Sequence, residues 1–193
     1  MRRDTSIPPD WFEALYAREG DPWGFATSPY EAAKYDHTLA ALPPGRFARA
    51  LEVGCANGVL TERLADRCDA LVAIDVSDTA LAQARARCAD LRQVTIEKRV
   101  MPAEAPRGGF DLVLVSEVAY YWDRADLGRM ADWLRDALMS GGHLLLVHWI
   151  GETDYPLTGD EAVDGLRTRL GDAVEPVLAE RRDRYRLDLW RRR

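Results

Sequence analysis

The stretch 50–58, which reads ALEVGCANG, constrains the fold more than any other part of this sequence. Its first four residues form an apolar run that holds one carboxylate, at Glu52, and ends at Gly54. Gly58 follows, and a helical spacing of leucines begins at Leu60. This pattern predicts a buried strand, a tight turn of small residues and the start of a helix. Because glycine has no Cβ, such a turn lets the backbone approach a ligand closely.

The spacing of the small residues discriminates between ligands. The dinucleotide fingerprint places glycine at the first, third and sixth positions of the turn. Counting from Gly54, the third position is Ala56 and the sixth is Val59. The spacing therefore disfavours a nicotinamide-dependent oxidoreductase. An ordinary β-α turn in some other α/β protein stays open as an alternative.

The same stretch resembles the E-x-G-x-G-x-G motif of the class I S-adenosylmethionine-dependent methyltransferases. The four motif positions are Glu52, Gly54, Ala56 and Gly58. The resemblance implies that the turn, with Cys55 in it, cradles the methionine part of S-adenosyl-L-methionine. It also implies that the carboxylate of Glu52 contacts the amino end of that cofactor.

A second acid supports a nucleoside ligand. The apolar run 70–74 predicts a strand that ends at Asp75, seventeen residues after Gly58. An acid in this place can accept hydrogen bonds from both ribose hydroxyls. The alternative is that Asp75 caps the next helix, although Ser77 is better placed for that task. We therefore predict that Asp75 and the adjacent Val76 bind the cofactor.

Alternating strand and helix patterns predict the fold class. Apolar runs near residues 50, 70, 93, 110 and 143 alternate with amphipathic helices, and a hairpin is expected over 174–190. We predict an α/β fold with a doubly wound, mostly parallel seven-stranded sheet, the Rossmann-like methyltransferase fold. A C-terminal antiparallel hairpin completes the sheet. Residues 1–45 are expected to add an N-terminal helical lid segment, with one helix at Pro9–Glu19 and a second that Ser28 caps, to a cofactor-binding domain at 46–193. Gly141 and Gly142 are expected to turn the chain into the strand at 143.

Length, apolar runs and cysteine spacing limit the number of domains and the kinds of site that the chain can have. At 193 residues the chain suits one domain, and no apolar run is long enough for a membrane span. The N-terminus lacks the apolar core of a signal peptide, so a cytoplasmic location is expected. Three cysteines without C-x-x-C spacing predict neither a disulfide framework nor a metal site.

The arginine-rich end of the chain has two interpretations. Residues 181–193 carry seven Arg and two Asp, whereas the whole chain has a net charge of −6. A basic tail could contact nucleic acid or anionic lipid. The apolar residues Tyr185, Leu187 and Leu189, however, alternate as in a half-buried strand. We favour the strand, and we expect no nucleic-acid partner.

Further site candidates follow from the rule that ligands bind beyond the carboxyl ends of parallel strands. In methyltransferases an acid near the third strand usually faces the adenine amino group. This sequence departs from that pattern, because it has no acid at 99–103. Aromatic residues of the N-terminal segment could form a lid by cation–π contact with a sulfonium. The predicted additional cofactor-binding residues are Met101, Pro102, Ser116, Glu117, Trp23, Tyr30 and Tyr35.

A closer resemblance covers most of the chain from Asp21 onward. The segments 21–23 and 28–39, and the pairing of LEVGCANG with SEVAYYW at 116–122, are similar to the nodulation protein S family. That family N-methylates the free amine of a deacetylated chitooligosaccharide. The resemblance implies a small-molecule acceptor, such as an aminosugar or oligosaccharide. O-methylation of a hydroxyl and a non-catalytic cofactor-binding module remain alternatives.

Three residues are predicted to act on the acceptor. His148 ends the fifth strand, and histidine titrates near neutrality, so it is a candidate base or acceptor-orienting group. The alternative is a histidine that is hydrogen-bonded within the strand end. Glu117 and Tyr120, after the fourth strand, could orient an amine or a sugar hydroxyl, although Glu117 could equally be a charge at a helix terminus. Asp154 and Asp160 could attract a cation or be solvated loop acids.

Overall fold

A computed structural model describes residues 2–193 and confirms the predicted fold class. The seven strands form a mixed, mostly parallel sheet in the order β3-β2-β1-β4-β5-β7-β6. The strands are β1 (Ala50–Val53), β2 (Leu71–Asp75), β3 (Val94–Lys98), β4 (Phe110–Ser116), β5 (Leu138–Trp149), β6 (Val174–Arg181) and β7 (Tyr185–Arg192). The α-helices are α1 (Pro9–Glu19), α2 (Pro29–Ala40), α3 (Val59–Leu64), α4 (Asp78–Arg87), α5 (Arg124–Ala137) and α6 (Gly159–Leu170).

The chain divides into two compact units, one of residues 8–100 and one of residues 2–7 with 101–193. The predicted division at residue 45 stays a prediction. In the first unit, β1 and β3 flank β2 in parallel register. Cys55, Ala73 and Leu81 form part of its core, because α4 packs its apolar positions onto the strands.

The second unit combines parallel and antiparallel pairing. β4 pairs with β5 in parallel, and the side chains at 112–115 and 144–147 are fully buried. Such continuous apolar runs are typical of strands that are covered on both faces. β7 pairs antiparallel with both β5 and β6, so the predicted C-terminal hairpin is confirmed.

Local capping explains where the helices begin. The Ser28 side chain accepts the Glu31 N–H at the start of α2, as the sequence predicts, and Asp123 accepts two N–H groups at the start of α5. Thr158 and Glu161 form a reciprocal capping box on α6. Side-chain oxygens satisfy the free amides of a first helical turn, which is why these boundaries are sharp.

Two strand predictions need correction. Gly141 and Gly142 were expected to turn the chain into a strand at 143, but they lie inside β5, in an irregular stretch where Phe110 pairs with Leu138 and Leu112 pairs with His143. β7 was expected to be half-buried, yet Asp188 and Trp190 are also buried, because β7 lies between two strands and is covered on both faces.

No helix among the described residues is both long and apolar enough to cross a bilayer.

Candidate functional site

The glycine turn after β1 has the strained backbone that its small residues require. Gly54, Ala56 and Gly58 all have positive φ angles, of 84°, 50° and 81°. Ala56 therefore adopts a left-handed conformation that costs a non-glycine residue about 1 kcal/mol or more. A Cβ on Gly58 would lie 2.9 Å from the Cα of Ala84 in α4, so this position has no room for a side chain. The turn is held in one conformation by packing as well as by φ.

Asp75 is the centre of a backbone hydrogen-bond network at the end of β2. Its Oδ2 accepts the Ala56 N–H at 3.0 Å, and its Oδ1 accepts the N–H groups of Val76 and Ser77 at 2.7 and 3.1 Å. Burial raises the pKa of Asp75, while these three donors lower it. The structure thus brings the predicted ribose acid and the glycine turn together. Ser77 caps α4 as the sequence predicts.

Glu52 is a carboxyl group in an apolar strand, with 1% of its surface exposed. Burial raises its pKa to about 7, the charge of Asp75 adds to the rise, and the neighbouring Thr61 hydroxyl opposes it. Since desolvation disfavours the ionised form, Glu52 is poised to gain or lose a proton near neutral pH.

Three buried oxygens around this turn lack hydrogen-bond partners among residues 2–193. They are Oε2 of Glu52, Oδ1 of Asn57 and Oγ1 of Thr61. Each unsatisfied buried polar atom costs about 1–3 kcal/mol, and most buried polar atoms in folded proteins are paired. These atoms have no exposed surface, so they are polar groups of the core beside the turn.

The carboxylate of Glu13 joins the N-terminal helix α1 to the first turn of α4. Glu13 accepts hydrogen bonds from the hydroxyls of Ser77 and Thr79, at 2.7 and 2.6 Å, and from the Thr79 N–H at 3.2 Å. These donors lower the pKa of Glu13 to about 2. The Gln83 side chain also donates to the carbonyl of Gly20 at 2.9 Å. Sequence reasoning missed this connection, since nothing local relates residue 13 to residue 77.

The predicted lid aromatics lie in the same unit as the glycine turn. Trp23 stacks on Phe25, with centroids 5.5 Å apart, and meets Tyr16 edge-on at 5.7 Å. The ammonium of Lys34 lies 5.4 Å from the ring centroid of Tyr30.

The third predicted lid residue, Tyr35, is buried, and the Arg63 guanidinium of α3 lies 5.9 Å from its ring centroid. Lid movement and cofactor contact by Trp23, Tyr30 and Tyr35 stay predictions.

In the second unit, Glu117 follows the end of β4 with a positive φ of 56°. Its Oε2 accepts the Tyr120 hydroxyl at 2.7 Å and the Trp149 N–H at 2.7 Å. Burial, and then the charge of Glu117, raise the pKa of Tyr120 well above its usual value, so this phenol stays a donor. Ser116 pairs in register with Val147 of β5. The structure therefore brings Glu117 and Tyr120 together, in a strained conformation of the kind that often marks functional sites.

His148 is fully buried at the end of β5, and its Nε2 accepts the Ala119 N–H at 3.1 Å. A nitrogen that accepts belongs to a neutral imidazole with its proton on the other nitrogen. Its ring also meets Tyr120 edge-on at 5.5 Å. Of the two roles predicted for His148, this geometry favours the hydrogen-bonded histidine at a strand end.

An aromatic neighbour of this group was not predicted. Tyr155, half-buried in the loop before α6, stacks on Tyr120 at 5.4 Å and meets Tyr121 edge-on at 4.7 Å. The N–H of Ile7 donates to the Tyr121 carbonyl at 2.9 Å, and that of Arg3 to the Asp154 carbonyl at 3.1 Å. The loop and the first residues of the chain thus form the surroundings of Tyr120.

Other candidates have ordinary surroundings. Met101 and Pro102 are buried and joined by a cis peptide bond. Asp160 is partly exposed and pairs with Arg181 and Arg186, as expected of a surface acid, and attraction of a cationic acceptor stays a prediction. Within residues 2–193, no group of three His, Cys, Asp or Glu side chains could hold a metal ion.

The chain is similar to one family in particular. The family model described as Nodulation protein S (NodS) matches residues 13–145. Nodulation protein S of Rhizobium tropici is 37% identical over 130 residues, which are 65% of this chain and 53% of that protein. The chain spans about half the length of the curated relatives it matches.

Solved structures extend this similarity. A crystal structure described as a "putative Methyltransferase" from Pseudomonas syringae is 39% identical and has a TM-score of 0.74, covering 84% of this chain and 99% of that one. The N-methyltransferase NodS of Bradyrhizobium japonicum WM9, in complex with S-adenosyl-L-homocysteine, has a TM-score of 0.82 at 24% identity, covering 95% of this chain and 97% of that one. The second comparison concerns the fold alone.

Proposed function

This chain belongs to the nodulation protein S family, and on that premise we propose that it is an S-adenosylmethionine-dependent methyltransferase. Its acceptor on this proposal is a small molecule with an amine, such as a deacetylated aminosugar. The observation that carries the proposal is the glycine turn after β1, held to the acid at the end of β2 because the Asp75 carboxylate accepts the Ala56 N–H at 3.0 Å. The matched family and the described methyltransferase of Pseudomonas syringae support the same class of reaction.

The residues around the turn fit the cofactor. The turn at 54–58 leaves the backbone uncovered by bulky side chains, and Gly58 has no space for one. On the family resemblance Glu52 would hold the amino end, because a buried carboxyl is stabilised by a cation. Asp75 would hold the ribose hydroxyls with the lone pairs that its three backbone donors leave unused. Val76, Met101 and Pro102 remain proposed contacts to the adenine side.

The bound sulfonium supplies an activated methyl group, so the protein needs only to position the acceptor and to exclude water. An amine reacts as its free base, and its ammonium proton must leave first. Glu117 offers a carboxylate held by one phenol and one backbone amide, which suits it to orient the N–H of an acceptor. Tyr120 keeps that carboxylate in place.

His148 acts on this proposal through the backbone. Its ring holds the N–H of Ala119, which begins the short 3₁₀ helix that carries Tyr120. Removing the imidazole would loosen that helix and the phenol on it. This is a positioning role, distinct from the general base that the sequence also allows.

The test combines binding and transfer. The intact chain is incubated with isotopically labelled S-adenosylmethionine and a panel of deacetylated chitooligosaccharides, simple aminosugars and their N-acetylated counterparts. We expect label on the free amines and none on the acetylated sugars. Label on hydroxyls instead would replace N-methylation with O-methylation. Cofactor binding without any labelled acceptor across the panel would contradict an amine-directed enzyme.

A further inference from the structure

Tyr155 is a half-buried aromatic residue in the loop 150–158, which joins β5 to α6. Its ring stacks on that of Tyr120, with centroids 5.4 Å apart and planes at 18°, and it meets the ring of Tyr121 edge-on at 4.7 Å. The N–H of Leu157 also donates to the Tyr120 carbonyl at 3.2 Å. The loop therefore holds Tyr120 twice, by a ring contact and by a backbone hydrogen bond.

Residues 2–7, here named the N-terminal strap, connect this loop to the short 3₁₀ helix that carries Tyr121. The N–H of Arg3 donates to the carbonyl of Asp154, the residue before Tyr155, at 3.1 Å. The N–H of Ile7 donates to the Tyr121 carbonyl at 2.9 Å. Because both acceptors are backbone carbonyls, these bonds fix the path of the loop and not only its side chains.

The strap is also anchored at the start of α5. Oγ of Ser6 accepts the N–H of Asp123 at 2.9 Å, and its hydroxyl donates to the Asp126 carboxylate. The Arg2 guanidinium pairs with Glu161 of α6 at 2.6 Å, although an exposed pair of this kind contributes little. The strap thus contacts three of the segments that surround Tyr120.

These contacts lead to the carboxylate of Glu117. Its residue has a positive φ of 56°, and such a conformation persists only where the surrounding structure holds it. Oε2 of Glu117 accepts the Tyr120 hydroxyl and the Trp149 N–H, each at 2.7 Å. A displaced Tyr120 ring would lose the first of these bonds, because hydrogen bonds weaken steeply as their geometry departs from the preferred one.

We infer that Tyr155 and the N-terminal strap are positioning elements that, through Tyr120, set the orientation of the Glu117 carboxylate toward the methyl acceptor. The inference rests on the proposed function, in which Glu117 orients the acceptor N–H. Both elements lie outside residues 13–145, the range that matches the family model, so the matched range does not include them. Tyr155 acts here through Tyr120 and not by contact with the reacting atoms.

The test follows the hydrogen bonding of Glu117 without any acceptor, and turnover with one. Hydrogen exchange of the Trp149 amide, measured by NMR on the ligand-free protein, reports on its bond to Glu117. Tyr155→Leu should speed this exchange about fivefold relative to amides in the middle of β5. With an amine from the acceptor panel, kcat should fall about threefold, while affinity for S-adenosylhomocysteine stays within about twofold.

Two matched comparisons make the test specific. Tyr155→Phe keeps the stacked ring, so it should restore both kcat and the slow exchange of the Trp149 amide. Arg3→Pro removes the N–H that holds the Asp154 carbonyl and should act like Tyr155→Leu, whereas Arg3→Ala keeps that N–H and should resemble the wild type. Arg3→Pro carries the test if Tyr155→Leu does not fold.

Trp133→Leu is the control for a general loss of stability. Trp133 is a half-buried aromatic residue on α5 in the same unit, and its ring lies 6.2 Å from that of Phe110. Phe110 begins β4, whereas Glu117 follows the end of that strand. The control should lower the unfolding temperature but leave the relative exchange of the Trp149 amide unchanged.

Unchanged exchange and unchanged kcat in Tyr155→Leu would overturn the inference. Equal losses in Tyr155→Phe would overturn it too, because stacking would then not be the cause, and so would an equal rise of relative Trp149 exchange in Trp133→Leu. A wild type that methylates no amine on the panel would instead contradict the proposed function. The amide exchange would still decide whether Tyr155 holds Glu117, so the two failures are distinguishable.

Discussion

Two regions of this chain differ in how their buried polar groups are hydrogen-bonded. Around the turn after β1, Glu52, Asn57 and Thr61 are buried with oxygens that no described residue satisfies. After β4 and β5, by contrast, Glu117 accepts from Tyr120 and from a backbone amide, and His148 accepts from Ala119. Oxygens in the first region are buried without a donor, whereas in the second region the Glu117 carboxylate and Nε2 of His148 have donors from the protein itself.

This difference suggests separate roles for the two regions, binding of the cofactor in the first and positioning of catalytic side chains in the second. A buried acceptor without a donor costs free energy in the folded protein. A ligand that supplies the donor would recover part of that cost. A satisfied group stabilises the fold and acts on a ligand mainly by fixing the geometry of its neighbours. Substitutions in the first region should therefore change cofactor affinity, and those in the second should change turnover.

The largest effect is expected at Asp75, which supports the glycine turn and is also predicted to bind the cofactor. Asp75→Ala removes the acceptor of three backbone N–H groups and should lower the free energy of unfolding by about 3 kcal/mol. Affinity for S-adenosylhomocysteine should fall at least about 100-fold, because the glycine turn also loses its support. Denaturant unfolding and calorimetry measure the two quantities.

A matched control is Asp78→Ala, an exposed acid three residues later whose partner is Lys98. Surface ion pairs contribute little, so its stability should change by less than about 1 kcal/mol. Equal effects of the two substitutions would remove Asp75 from the centre of the site.

The next effect concerns Glu52, whose pKa is raised from 4.5 to about 7. A raised pKa in the folded state means that stability is present below pH 4.5 and is lost as the pH rises to about 7. Glu52→Gln should therefore be more stable than the wild type at pH 8 without ligand, by on the order of 3 kcal/mol. The same variant should bind S-adenosylhomocysteine about 30-fold more weakly at that pH.

The pH dependence sharpens this prediction. Wild-type affinity should increase from pH 6 to pH 8, as the ammonium pairs with an ionised Glu52, and the Gln variant should show a flat profile. The carboxyl of Asp75 and the thiols of Cys55 and Cys88 interact electrostatically with Glu52, and the pKa of each is raised. The raised pKa values of the two thiols keep them protonated between pH 6 and pH 8. Glu62→Gln, on the exposed face of α3, is the control. A pH-dependent Gln variant would assign the titration to another group.

A smaller effect is expected at His148. His148→Ala should lower turnover about tenfold while affinity for S-adenosylhomocysteine stays within about twofold, because Ala119 loses its acceptor but the glycine turn is untouched. His148→Gln, which can still accept that N–H, should recover most of the turnover. Steady-state kinetics measured across pH decides between a positioning residue and a general base. Loss of the acidic limb of the pH–rate profile in both variants would identify a general base.

The smallest effect is expected at Tyr120. Tyr120→Phe removes one hydrogen bond to Glu117 and should lower stability by about 1 kcal/mol and turnover about threefold. The double variant with Glu117→Gln tests the coupling, because the second substitution should make the first nearly neutral. Additive effects on turnover would show that the phenol acts independently of the carboxylate.

Much of the fold follows from local patterns. The bounds of α1, the Ser28 cap and the strand that ends at Asp75 agree with the sequence predictions, because periodicity and capping depend on neighbours within one or two turns. The family prediction is also confirmed, since its motifs lie in the matched range. The irregular stretch at Gly141 was wrong because a bulge is decided by the partner strand.

The candidate site was only partly predictable. Ala56 and Gly58 were visible as small residues in a motif, and their positive φ angles agree with that reading. The burial of Asn57 and Thr61 was not predicted, because the sequence pattern indicates only that a threonine beside two leucines belongs to a helix. Neither was Tyr155, whose ring reaches Tyr120 across a loop.

The sequence by itself determined which elements form, in what order they follow, and where an acid and a small-residue turn end a strand. Those features depend on the size, polarity and spacing of neighbouring residues. Only the tertiary structure decided which carboxylates are satisfied and which are not. Asp75 accepts from its neighbours Val76 and Ser77, but its third donor, the Ala56 N–H, is brought to it only by the fold. The energy of a buried charge depends on such partners.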